Sequence, residues 1–247
     1  MLDAKAEQTV AEVVGHLRAR FGARLVAMSL YGSGVGSDFI PGASDINLVV
    51  VLDEVGAGDL RVLHPDLVRW RKRGIATPLL IDQEFLRDAV DVFPMELEDI
   101  RDHHRPLFGP DVFAALVIHR DHLRYQCEHE ARGKLLRLHG LALEIGDDRR
   151  ALQQLVLDSL KTFLIVMRNV NRLVGVHEPG SYATVISAFC RHFDCALPAM
   201  TRLLRIKLSQ EPWGDDFDAL FRAYVGEVRE LVRRIDQLPA DGHPINS

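Results

Sequence analysis

The residues of this 247-residue chain whose types and spacing could do chemistry lie between Leu30 and Leu52, LYGSGVGSDFIPGASDINLVVVL. An apolar run ends in Gly32-Ser33, a glycine-rich loop follows, and Ser44-Asp45-Ile46-Asn47 opens a second apolar run. Gly32, Gly34 and Gly36 can adopt backbone conformations closed to other residues and let a phosphate approach the main chain. Asp45 and Asn47 stand two apart on an expected strand, so their side chains leave one face of the sheet. Glycines able to cradle phosphates beside oxygen ligands suit a Mg²⁺–nucleotide site. Gly32, Ser33 and Gly34 are therefore candidate phosphate contacts, and Asp45 and Asn47 candidate metal ligands. The plainer alternative makes Gly32-Ser33 a tight turn and Asp45 a turn or cap residue; Asp38, in the loop, reads as solvated.

The elements needed to position these residues follow from the apolar pattern. Val10, Val13, Val14 and Leu17 recur at helical spacing, and Gly22 ends that helix. Arg24 to Tyr31 reads as a first strand, and Ile46 to Leu52, almost unbroken apolar, as a central strand covered on both faces. Asp59 to Arg73 reads as a helix, Thr77 to Ile81 as a strand, and Asp82 or Gln83 to Ala89 as a helix. Phe93 to Ile100 alternates like another strand, with Met95, Leu97 and Asp99 on one face and Glu96 and Glu98 on the other. Beyond Phe113 the pattern becomes helical throughout, with helices expected over 119–144, 149–174, 182–193, 196–209 and 215–238. The expected layout is an α/β (α+β) sheet domain over 1–112, an all-α bundle over 113–240 and a flexible tail over 241–247.

The Gly-Ser pair, the loop and Asp-x-Asn together resemble the signature of the nucleotidyltransferase superfamily, the polymerase-beta-like fold. The stretch is most similar to small bacterial aminoglycoside adenylyltransferases and minimal nucleotidyltransferases. Gly32 and Ser33 match the family's Gly-Ser, and Asp45 its first metal-binding acid; Asn47 stands where the family has Asp or Glu. The resemblance implies transfer of a nucleoside monophosphate, AMP from ATP, to a hydroxyl of a small-molecule acceptor, with Mg²⁺ as cofactor. It also implies a third acid on a neighbouring strand, for metal binding or proton transfer. Glu96, ahead of Glu98, is the expected one, the choice depending on strand register. The competing reading is a catalytically weak or inactive nucleotide-binding or protein-interaction module, since an amide oxygen ligates Mg²⁺ without adding negative charge.

Bulk properties narrow the partners. A net charge of -5 argues against a nucleic-acid footprint. No apolar run approaches the ~18 residues of a membrane span, and the N-terminus lacks an apolar signal core, so a cytoplasmic protein is expected. Cys127, Cys190 and Cys195 form no CxxC and read as reduced core thiols. His103 and His104, near Asp99 and Asp102, match no zinc spacing, and His119, His122 and His129 read as solvated or capping. Lys134, Lys161 and Arg168 could meet a triphosphate, although a polar helix face explains them equally well.

Overall fold

The structure is a computed structural model and describes residues 2–35, 45–176 and 181–239. The chain divides into two compact units, Met1–Val117 and Ile118–Ser247. The first unit is a mixed four-stranded sheet with helices. Helix α1 (Ala4–Phe21) is started by Asp3, whose carboxylate accepts from the Ala6 N–H at 2.8 Å, and stopped at Gly22, with φ +55. Strands β1 (Leu25–Tyr31) and β2 (Asn47–Leu52) pair antiparallel. Helix α2 (Ala57–Arg71) then carries the chain to β3 (Leu79–Asp82), parallel to β2, and α3 (Gln83–Asp88) follows. Helix α4 (Pro94–Asp102) leads into β4 (His104–Phe108), which pairs antiparallel with β1 and completes the order β3-β2-β1-β4.

Both faces of β2 are covered. Leu48, Val50 and Leu52 pack with Val10, Val13 and Leu17 of α1 and with Leu63 and Trp70 of α2. Val49 and Val51, on the opposite face, are also fully buried. The unbroken apolar run is thus a central strand, as its composition implied. An Arg24 fork ties the sheet to α2: its Nη1 and Nη2 donate to Asp59 at 2.8 and 3.0 Å. Asp59 also accepts from the Gly56 N–H that opens α2. The Arg24 hydrogen bond, helped by that N–H, holds the Asp59 carboxyl below the usual carboxylate range.

The strand expected over Phe93–Ile100 is a helix. Pro94 sits in the first turn of α4, where its missing N–H costs nothing. Glu98 meets Arg101 one turn on, at 2.5 Å. Met95, Leu97, Glu98 and Ile100 are buried, whereas Glu96 is exposed, a helical distribution that period-two alternation cannot produce. The strand in this region is β4 instead, just downstream. Its Arg105 and Pro106 disguise it, and a proline is tolerated because β4 is an edge strand.

The second unit contains five helices among the described residues: α5 (Arg120–Ile145), α6 (Arg149–Leu173), α7 (Tyr182–Phe193), α8 (Pro198–Lys207) and α9 (Phe217–Asp236). Asp148 caps α6 through the N–H groups of Arg150 and Ala151. Val156, Leu160, Phe163, Leu164 and Met167 form its buried stripe. Tyr224 of α9 is fully buried, and its hydroxyl is 2.8 Å from Ser159 Oγ of α6. Helix α8 is capped from a distance. Its first residue is Pro198, and the buried Glu227 of α9 accepts from the Ala199 and Met200 N–H groups at 2.7 and 2.8 Å. No described helix is long and apolar enough to cross a membrane.

Candidate functional site

The site begins where β1 ends. Tyr31 is the last residue of β1, and Gly32–Gly34 form a single tight 3₁₀ turn. Gly32 has φ +72, a conformation glycine reaches without steric cost. Its N–H donates to the His103 carbonyl at 3.0 Å, which anchors the turn to the joint between α4 and β4. A Cβ built on Gly32 would lie 3.3 Å from the side-chain amide nitrogen of Asn47. The Asn47 side chain therefore lies where a side chain at position 32 would be, close beside the glycine turn. Gly34 is buried against Leu30. Gly36, Asp38 and Ser44 lie outside the described residues.

Register places further groups at this end of the sheet. Tyr31 pairs directly with Asn47 on one side and with His104 on the other, so the three share a face. Asp45, two residues before Asn47, is exposed, and neither side chain makes a hydrogen bond or ion pair among the described residues. Tyr31 is half-buried, and burial pushes its phenol pKa up, so it stays protonated as a neutral donor. His104 is committed elsewhere: Nδ1 is 3.0 Å from the Arg101 carbonyl and Nε2 2.9 Å from Asp111. Burial works to raise the Asp111 carboxyl. The Ala114 and Phe113 N–H groups, with His104, outweigh it and hold it below the usual range.

The third acid is not where strand reasoning put it. Beyond β2 the neighbouring strand is β3, with Ile46 bridged to Ile75 and Val49 paired with Leu79. One extra residue is absorbed between these pairs, which leaves Ala76 and Thr77 level with Asn47. Neither is acidic, and Thr77 Oγ1 accepts from Arg71 at 2.8 Å. Glu96 and Glu98 are on α4, not on a strand beside β2. Glu98 is buried against Arg101, and Glu96 sits about 9 Å up the helix axis from Asp102, at ~1.5 Å per residue. Among the described residues no three His, Cys, Asp or Glu side chains cluster as a metal site. Among the described residues, the sheet end offers the Asp45 carboxylate, the Asn47 amide, the glycine turn and the Tyr31 phenol.

Sequence reasoning overlooked Tyr31 and Thr77. Their only signal was position, Tyr31 directly before the glycines and Thr77 at the start of the run that becomes β3. Of the three cysteines expected in the core only Cys127 is there; Cys190 and Cys195 are partly exposed, at and just beyond the end of α7. His119 and His122 stack edge to face at the start of α5, with ring centroids 5.7 Å apart, and Cys127 is fully buried.

No protein-family model matches the chain, and no curated protein sequence matches it. Its architecture does have solved counterparts. It is similar to the spectinomycin adenyltransferase AAD(9) from Enterococcus faecialis, whose crystal structure contains ATP and spectinomycin. The likeness has a TM-score of 0.58 at 14% identity and covers 94% of this chain and 99% of the other. At that identity the comparison speaks for architecture alone: this chain shares the fold of that adenyltransferase.

Proposed function

We propose that the chain binds a Mg²⁺–nucleoside triphosphate at the Gly32 turn and transfers the nucleoside monophosphate, AMP from ATP, to a hydroxyl of a small-molecule acceptor. The observation that carries this reading is the closeness of the Gly32 turn to the Asn47 side chain, two residues from an exposed Asp45 that has no side-chain partner among the described residues, within this fold. Backbone N–H groups of Gly32–Gly34 not already bonded would face the phosphates. Asp45 supplies the single negative oxygen ligand, and the Asn47 carbonyl a neutral one. That donor set fits one Mg²⁺ shared with phosphate oxygens and water, a common arrangement for this ion, and not a pair of metals. Mg²⁺ held there would supply charge neutralisation on the triphosphate; in the transfer itself the acceptor hydroxyl oxygen bonds to the α-phosphorus, the bond to pyrophosphate breaks, and the hydroxyl proton passes to water. Tyr31 would donate a hydrogen bond to an oxygen held beside Asn47. Glu96 is assigned no step.

A second reading is nucleotide binding without transfer. Asn47 on β2 and Ala76 and Thr77 in the segment entering β3, where further carboxylates would complete a two-metal site, favour it. One experiment separates the two. Thermal stability is measured with each nucleoside triphosphate in Mg²⁺ and in EDTA, and pyrophosphate release is then followed with aminocyclitol and aminoglycoside alcohols, spectinomycin first. Transfer requires a Mg²⁺-dependent stabilisation by at least one nucleotide together with acceptor-dependent pyrophosphate. Stabilisation with no pyrophosphate from any acceptor selects the binding reading. Absence of stabilisation by every nucleotide rejects both.

A further inference from the structure

Helix α7 ends in a way that brings two thiols together. Asp194 adopts the left-handed conformation, φ 46 and ψ 58, and the Cys190 carbonyl accepts from both the Asp194 and the Cys195 N–H, the latter at 3.1 Å. This is the helix stop in which the residue after the left-handed one folds back over the last turn and its side chain meets the one five positions earlier. Here those two positions are Cys195 and Cys190, and their thiols hydrogen-bond to each other. Neither is in the core: both are partly exposed, whereas Cys127 is fully buried. Such an end needs only small apolar groups at these two positions, so a pair of thiols in mutual reach adds a chemical capacity the turn itself does not require.

We propose that Cys190 and Cys195 are a reversible oxidation site, converted by a hydroperoxide into an intrachain disulfide that staples the end of α7 to the segment entering α8. The thiolate of one cysteine attacks the peroxide oxygen and becomes a sulfenic acid, releasing water or alcohol. The second thiol then attacks the sulfenic sulfur, the S–S bond forms, and its oxygen leaves as water. Two thiols lose two electrons and two protons, and the peroxide is reduced. Because the pair already touches, the second step needs only rotation about the side chains. A dithiol reductant reverses the reaction.

The surroundings set its pace. Burial raises both thiols, Cys195 to about 11, with Cys190 itself as the next cause. Glu227 of α9 also acts against the Cys190 thiolate, while beside Cys195 the cation Arg234 opposes Glu230. The thiolate fraction is therefore small at neutral pH, and the site oxidises faster as pH rises from ~7 towards ~10.

The test uses the full-length reduced protein. It is exposed to hydrogen peroxide, unfolded and alkylated, and its intact mass is recorded, with tryptic peptides mapped; Arg191 lies between the two cysteines, so trypsin separates them unless a disulfide joins them. The expected product has lost two hydrogens, takes one alkyl group in place of three, yields a linked Cys190–Cys195 peptide pair, and regains three alkyl groups after dithiothreitol. Cys190→Ser and Cys195→Ser variants, checked for native circular dichroism, should instead gain oxygen adducts on the remaining thiol. Three alkylatable thiols after peroxide, stable oxygen adducts in the unmutated chain, or a linkage through Cys127 or between chains would each overturn the proposal.

Discussion

Two carboxylates, Asp45 at the open end of the sheet and Glu227 in the helical unit, show how differently one functional group can be spent. Asp45 is exposed and has no partner among the described residues, while the glycine turn beside it leaves backbone near a ligand's reach. Glu227 is 9% exposed, and each of its oxygens accepts from a backbone N–H of α8. The first can bind something new. The second has already bound its ligand, which is the start of another helix. The difference teaches where chemistry can reside in this fold: in groups whose hydrogen-bonding capacity the fold has left unused.

The sharpest test of that contrast is to delete each carboxylate in turn. Asp45→Ala should lower nucleotidyl transfer by roughly 10³-fold, the loss of several kcal/mol of charge stabilisation, while changing stability by less than ~0.5 kcal/mol. Steady-state pyrophosphate release and urea unfolding read the two effects. Glu227→Ala should do the reverse, removing about 3 kcal/mol of stability because two buried N–H groups lose their acceptor. If instead Asp45→Ala unfolds the protein and Glu227→Ala does not, the assignment of the two roles is inverted.

Asn47→Asp sharpens the comparison within the site. A second carboxylate beside Asp45 should tighten Mg²⁺ binding roughly tenfold, by analogy with the 10–100-fold changes that ligand-tuning residues produce. Titration of Mg²⁺ against nucleotide-dependent thermal shift measures it, and unchanged affinity means that position 47 is not a ligand.

The smallest effect is on pH dependence, and it has opposite signs at two carboxylates. The Asp59 pKa is depressed, so its contribution to stability is present above the ordinary carboxylate range and is lost as pH falls through the folded value. The Glu227 pKa is raised by burial, against two backbone hydrogen bonds, so its contribution is fully present below the unfolded value and fades as pH rises through the folded one. Relative to the native chain, Glu227→Gln should therefore lose less stability between about pH 4 and pH 8, and Arg24→Ala should lose less on going into acid. Urea midpoints from about pH 2 to pH 8 decide both, the acid limb for Asp59 and the neutral limb for Glu227.

Much of the sheet unit was legible because its signals are local. An unbroken apolar run and a Gly-Ser pair specify a strand and a turn without reference to the rest of the chain, and β2 and the Gly32–Gly34 turn are found there. The error at Phe93–Ile100 arose because a short segment with apolar residues at both odd and even positions fits either period, and the Pro94 helix-start signal was underweighted. That error carried Glu96 into the proposed metal site. The residues that truly flank Asn47, Tyr31 and the Ala76–Thr77 step, are set by strand order and by one extra residue between the β2–β3 pairs. Pairing of that kind joins distant segments and leaves no local mark. In the helical unit, Cys190 and Cys195 looked like unrelated core thiols because their meeting depends on the left-handed Asp194 between them.

The hydrogen bond from the Gly32 N–H to the His103 carbonyl has a consequence for the order of folding. Its two ends lie about seventy residues apart in sequence, so it belongs to the long-range contacts that form late because closing such a loop costs entropy before any contact repays it. The turn that would receive a nucleotide cannot take its final anchor until α4 and β4 have emerged and docked on β1. On a ribosome, a chain halted before His103 would already carry Gly32, Asp45 and Asn47, yet would hold its glycine turn without that clasp.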